Sequence, residues 1–138
     1  MSNTSAIILF IMLGIIFWSG IRKFFHRQKL HKISASRPKL NRFDFIKKME
    51  LRGFEYDKIA ATYDEISSRI QLDDFSIYPE DDLLKLYKID DFYIDEMIEL
   101  LCEKFELNFP SNEEYNQIFF DNDENFDSVF ILKLLHLQ

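Results

Sequence analysis

One cysteine, three glycines and three histidines in 138 residues narrow the chemistry open to this chain. The single cysteine, Cys102, cannot close an intrachain disulfide, which is compatible with a reducing compartment. Its neighbours in sequence are acids, which would raise its thiol pKa, so it reads as packing rather than as a nucleophile. Three glycines leave no Gly-rich loop to cradle a phosphate. His26 and His31 stand five apart, off any shared helical face, and His136 is isolated, so a zinc site lacks ligands. Positive charge is scarce over most of the chain. Residues 49–138 hold 23 acids against seven Lys and Arg, the wrong sign for phosphate contacts, which disfavours nucleic acid as a partner.

What the chain does have is a long apolar run. Residues 6–21, AIILFIMLGIIFWSGI, are followed at once by Arg22-Lys23. A membrane-spanning helix takes ~17–25 apolar residues, and residues 5–21 meet the lower end of that range. Trp18 would lie at headgroup depth, with Arg22, Lys23 and Arg27 at the interface, their stems in hydrocarbon and their charges in water. A secretory signal would want a basic segment before the run and small residues after it. Here the run is followed by the bulky, basic IRKFFHRQK. The reading is therefore an uncleaved anchor over residues 1–21.

Charge asymmetry sets the orientation. Residues 1–48 contain ten Lys and Arg, all C-terminal to the apolar run, against the single acid Asp44. Positive charge marks the cytoplasmic side. The expected topology is single-pass in the inner membrane, N-terminus outside and residues 22–138 in the cytoplasm. Residues 22–41 then form a basic juxtamembrane linker, worth about 1 kcal/mol per Lys or Arg against anionic headgroups. It also reads as a topology signal with no lipid preference. Residues 42–138 form an acidic domain, large enough for one core.

Within that domain the periodicity predicts an all-α fold. The stretch 31–41, HKISASRPKLN, has no sustained apolar period and reads as linker. A short helix over 42–52 places Phe45, Ile46 and Met49 on one side, with Gly53 at its C-terminal cap. Asp57 is placed to N-cap a second helix carrying Ile59, Tyr63, Ile66 and Ile70 inward. A polar loop follows over 71–82. A third helix, about 91–105, turns Ile94, Met97, Ile98, Leu101 and Phe105 inward and Glu96, Glu99, Glu103 and Glu106 outward. Ser111-Asn112-Glu113-Glu114 is a capping-box pattern opening a short helix through Phe119. The terminal VFILKLLHL is apolar and short enough to be helix or strand.

Residues 83–110, LLKLYKIDDFYIDEMIELLCEKFELNFP, resemble the central part of an acyl carrier protein. That family has an Asp-Leu-Gly, an Asp-Ser-Leu opening the second helix, and a Glu-Leu four residues on. An acidic helix ending in Glu-Phe and an Ile-Pro follow. Asp90, Phe92, Glu96, Met97, Leu101, Phe105, Phe109 and Pro110 fall on those positions without a gap. The likeness covers about residues 58–118 and implies a small helical bundle with an acidic docking face. The departures are chemical. The serine that bears the phosphopantetheine arm is replaced by Asp91, and no serine lies between Ser76 and Ser111. A carboxylate cannot form that phosphodiester, so no prosthetic group is expected. Two partner-facing apolar positions of carriers are Asp95 and Glu99 here, and the loop glycine is Lys88. Carrier-like domains without the serine also occur in an uncharacterised family of short bacterial proteins, to which this chain is more similar.

Other acidic motifs carry less. Residues 121–125, DNDEN, begin like a calcium loop, but Phe126 replaces the turn glycine and Leu132 the bidentate glutamate. Asp73-Asp74, Asp81-Asp82 and Asp90-Asp91 read as solvated loop or cap residues without a partner for acid–base work. The expectation is a membrane-tethered docking or regulatory module without cofactor or metal, binding a basic protein through Asp91, Asp95, Glu96, Glu99, Glu103 and Glu106. The alternatives are an immunity protein neutralising a basic toxin and a degenerate carrier in a lipid pathway.

Overall fold

The apolar run folds as a helix that does not stop at the basic residues. In a computed structural model describing residues 3–70, 72 and 74–137, α1 runs Asn3–Ser36. Its 34 residues extend about 51 Å at a rise of ~1.5 Å each. The expected linker therefore begins later than residue 31. Nothing in 31–36 breaks a helix, whereas Pro38 disfavours helical backbone at Arg37 and ends it there. Ser36 Oγ donates to the Ile33 carbonyl at 2.8 Å in the last turn. An 18-residue window of α1 has a mean hydropathy of 2.2, and none of it is buried.

The chain divides into two compact units, Met1–Pro38 and Lys39–Gln138. The second holds α2 (Arg42–Glu50), α3 (Tyr56–Ile70), α4 (Asp91–Lys104), α5 (Asn112–Asp121) and α6 (Ser128–His136), with no strand among the described residues. The terminal segment is thus a helix. Asp127 caps it, its Oδ1 accepting the Phe130 N–H at 2.9 Å. Six of its nine residues are buried: Ser128, Phe130, Ile131, Leu132, Leu134 and Leu135. Contact with α3, α4 and α5 accounts for a helix apolar on nearly every side.

The other helices follow their periodicity closely. Phe45, Ile46 and Met49 of α2 are buried, and Phe45 meets Tyr63 of α3 edge-on with ring centres 5.0 Å apart. Beyond α2, Gly53 takes φ 92°. The Gly53 N–H donates to Glu50 O at 2.9 Å and the Phe54 N–H to Met49 O at 3.3 Å, closing the helix in a Schellman motif. Helix α3 begins at Tyr56, so Asp57 lies inside its first turn rather than capping it. There the carboxylate still faces the positive end of the helix dipole.

The described residues between α3 and α4 form no helix or strand, yet they are anchored. Ile77, Leu83, Tyr87 and Ile89 are buried. Leu83 N–H donates to Phe126 O at 2.8 Å, joining this segment to the loop before α6. Asp81, expected in solvent, is buried instead. Its Oδ2 accepts the Tyr78 N–H at 2.8 Å and the Tyr87 hydroxyl, so the acid organises the loop from within. Asp73 lies outside the described residues.

Candidate functional site

Helix α4 carries most of the residues singled out by sequence. One side buries Ile94, Met97, Ile98, Leu101 and Cys102; Phe105, just past its end, is half-buried. Burial pushes the Cys102 thiol upward, so the cause is the core around it and not the neighbouring acids. Asp91, Asp95, Glu96, Glu99 and Glu103 all lie on the exposed side.

Each of these acids has a distinct environment. Asp90 caps the helix, and the Asp91 Oδ1 accepts the Phe92 N–H at 2.8 Å. Hydrogen bonding with Asp90, then with that N–H, holds the Asp91 carboxyl below the usual carboxylate range. Asp91 is thus an anion at a helix N-terminus, where the dipole favours it. Asp95 accepts the Tyr115 hydroxyl of α5 at 2.9 Å. Burial, and then this carboxylate, raise the Tyr115 pKa. Glu96 pairs with Arg69 of α3 at 3.2 Å, while Arg69 also reaches Glu65 at 3.9 Å.

Glu99 and Glu103 differ. They are exposed, one helical turn apart, and form no ion pair among the described residues. Glu106 falls off the helical repeat. Its N–H donates to Glu103 O at 3.2 Å and the Leu107 N–H to Cys102 O at 2.8 Å. That Schellman closure puts Glu106 at φ 55°, so its side chain leaves the α4 row.

Sequence reasoning passed over the apolar members of the same surface. Phe92 is 69% exposed and Leu100 44% exposed. Phe92 meets Tyr93 edge-on at 5.6 Å. Their signal was present in the spacing, since Phe92, Glu96, Glu99 and Glu103 follow i, i+4, i+7 and i+11 on one helical face. Beside the start of α4 a cleft of about 540 Å³ opens between Arg69, Lys88, Asp90 and Tyr93. Lys88 there takes φ 58°.

On α1, Trp18 is 65% exposed, and Arg22, Lys23 and Arg27 are exposed as well. The calcium-like stretch is organised by hydrogen bonds instead. Asn122 Nδ2 donates to Asn125 O at 3.0 Å and to Asp127 Oδ1 at 2.9 Å, and Lys133 Nζ donates to Asn122 Oδ1 at 3.2 Å. No group of three or more His, Cys, Asp or Glu among the described residues is arranged to hold a metal ion. No family model, curated protein or solved structure matches the chain.

Proposed function

We propose that this protein is a single-pass membrane protein, N-terminus outside, whose cytoplasmic domain works by docking a basic partner on α4 and not by catalysis. The observation that carries the anchor is the unburied apolar window of α1. Contiguous apolar surface of that extent marks a membrane or a protein contact, and the basic residues directly after it favour the membrane and set its direction.

Docking rests on Glu99 and Glu103. Their like charges one turn apart cost the isolated helix about 0.2–0.5 kcal/mol, and no ion pair among the described residues offsets them. Phe92 and Leu100 supply apolar contact alongside. Electrostatic complementarity to a basic surface would act mainly on the association rate.

The carrier likeness supports the same face. Lys88, on the position where carriers have glycine, holds a left-handed backbone that glycine favours. Asp91 in place of the serine leaves docking without the prosthetic arm.

The test is capture of the partner by the full chain in detergent, followed by stopped-flow association. Glu99→Lys with Glu103→Lys should leave the helical circular dichroism unchanged and slow association by about tenfold at low salt. An unchanged rate, or a partner contact moved only by core changes at Met97 or Leu101, would place the interface elsewhere.

A further inference from the structure

Residues 22–32 of α1 carry Arg22, Lys23, Arg27, Lys29 and Lys32, all exposed. None of the five forms an ion pair among the described residues, and no acid precedes Asp44 in the sequence. Their arrangement around the helix is informative. With Arg22 as origin and 3.6 residues per turn, Lys23, Arg27, Lys32 and Lys29 fall at roughly 100°, 140°, 280° and 340°. A helix lying flat in the headgroup layer concentrates its cations on one face opposite an apolar one. The five cations spread over roughly 220° of the circumference, with Leu30 buried between Arg22 and Lys23. That spread is wider than the single polar face of a helix lying flat and suits one standing upright.

Height above the hydrocarbon agrees. Because α1 is continuous through this stretch, Arg22, Lys23 and Arg27 lie within about 9 Å of Ile21 along the axis, and Lys32 within about 17 Å. The first three are thus about one Debye length, ~8 Å, from the surface at physiological salt. Phe24 and Phe25, 59% and 67% exposed, interleave with them at the depth favoured by interfacial aromatics.

We propose that residues 22–32 gather anionic phospholipid headgroups beside α1. This rests on the anchor reading above and adds a lipid class to it. An acidic protein surface is the competing occupant, and lipid is favoured because the helix itself delivers the cations to the headgroup layer.

Trp18 is the sole tryptophan and lies about 6 Å along the axis from Arg22, so it reports on the neighbouring lipids. The full chain is reconstituted in phosphatidylcholine vesicles containing a minority of phosphatidylglycerol, with a trace of either lipid carrying a headgroup dansyl label. Energy transfer from Trp18 should favour labelled phosphatidylglycerol by about threefold. The preference should fall towards parity at about 1 M salt, where the Debye length is ~3 Å. Replacing all five cations with glutamine should bring parity while Trp18 emission remains blue-shifted by insertion.

Parity in the unaltered chain with blue-shifted emission overturns the lipid proposal and leaves the anchor standing. Unshifted emission with no transfer to either label overturns the anchor, and this proposal with it. A preference that survives the five-fold variant removes these cations as its source. One that vanishes as protein density in the vesicle rises assigns them to the acidic units of neighbouring copies.

Discussion

Asp74, Lys88, Glu106, Asp123 and Glu124 hold φ values of 54–58°, in a chain with only three glycines to fill such slots. Aspartate tolerates this conformation through local hydrogen bonding, whereas lysine and glutamate bear a cost of roughly 1–2 kcal/mol each. Lys88→Gly and Glu106→Gly should therefore each stabilise the folded domain by about 0.5–1 kcal/mol, after the added entropy of glycine in the unfolded chain. Urea midpoints check this, and a destabilised Glu106→Gly would mean the side chain makes a contact worth more than the strain. Asp127 raises a question of pH. Burial pushes its carboxyl upward, against the lowering effect of the Phe130 N–H and Asn122. The folded state then keeps the proton to higher pH than the unfolded one. This contribution is whole below the unfolded value and is lost as pH rises through the folded value. Asp127→Asn still caps α6 and removes that titration, so its stability relative to the parent should climb from about pH 4 towards neutrality. A constant difference across thermal melts at several pH values would remove Asp127 from the acid–base behaviour.

Helices whose signals were local formed as their residues suggested. The Ser111 capping box is complete, with Ser111 N–H donating to Glu114 Oε2 at 2.8 Å and Glu114 N–H to Ser111 Oγ at 3.3 Å. That helix runs past Phe119 to Asp121 because nothing before Asn122 stops it. In α4 the buried stripe was legible from spacing, while the roles of its acids were not. Asp95 and Glu96 are engaged by Tyr115 and Arg69, residues 20 and 27 positions away, which no local pattern reports. The carrier likeness makes its own prediction at this helix. Incubated with coenzyme A and a broad phosphopantetheinyl transferase, the unaltered protein should keep its mass. Asp91→Ser combined with Lys88→Gly, Asp95→Leu and Glu99→Leu restores all four departed positions and should gain one phosphopantetheine. A folded fourfold variant that stays unmodified in intact-mass spectra would end the likeness.

For the whole molecule, charge is segregated along the chain: the basic excess adjoins the apolar helix and the acidic excess belongs to the compact unit. A fluorescent protein fused after Gln138 should fluoresce in the cytoplasm and sediment with membranes, and removing residues 3–21 should release it to the supernatant. Moving the basic cluster ahead of the apolar run should weaken or invert the orientation. A fusion recovered outside the cytoplasm, or soluble with the run intact, would sink the anchor.

Sequence by itself determined what depends on neighbours within a turn or two: the apolar α1, the inward stripes of α2, α3 and α4, the cap at Ser111 and the charge asymmetry. These are set by side-chain period, capping chemistry and composition, which act locally. Tertiary structure decided what depends on distant partners. Segment 128–136 is a helix inside a core built by α3, α4 and α5, where an apolar run alone would suit a strand equally well. Asp81 is a buried loop organiser because Tyr78 and Tyr87 converge on it. Of the acids assigned to one face, only Glu96 has an ion pair among the described residues, because the fold brings Arg69 to it, and the closure of α4 turns Glu106 off the helix. Burial and pairing are properties of the packed chain, and a linear pattern carries only the half of each contact that it contains.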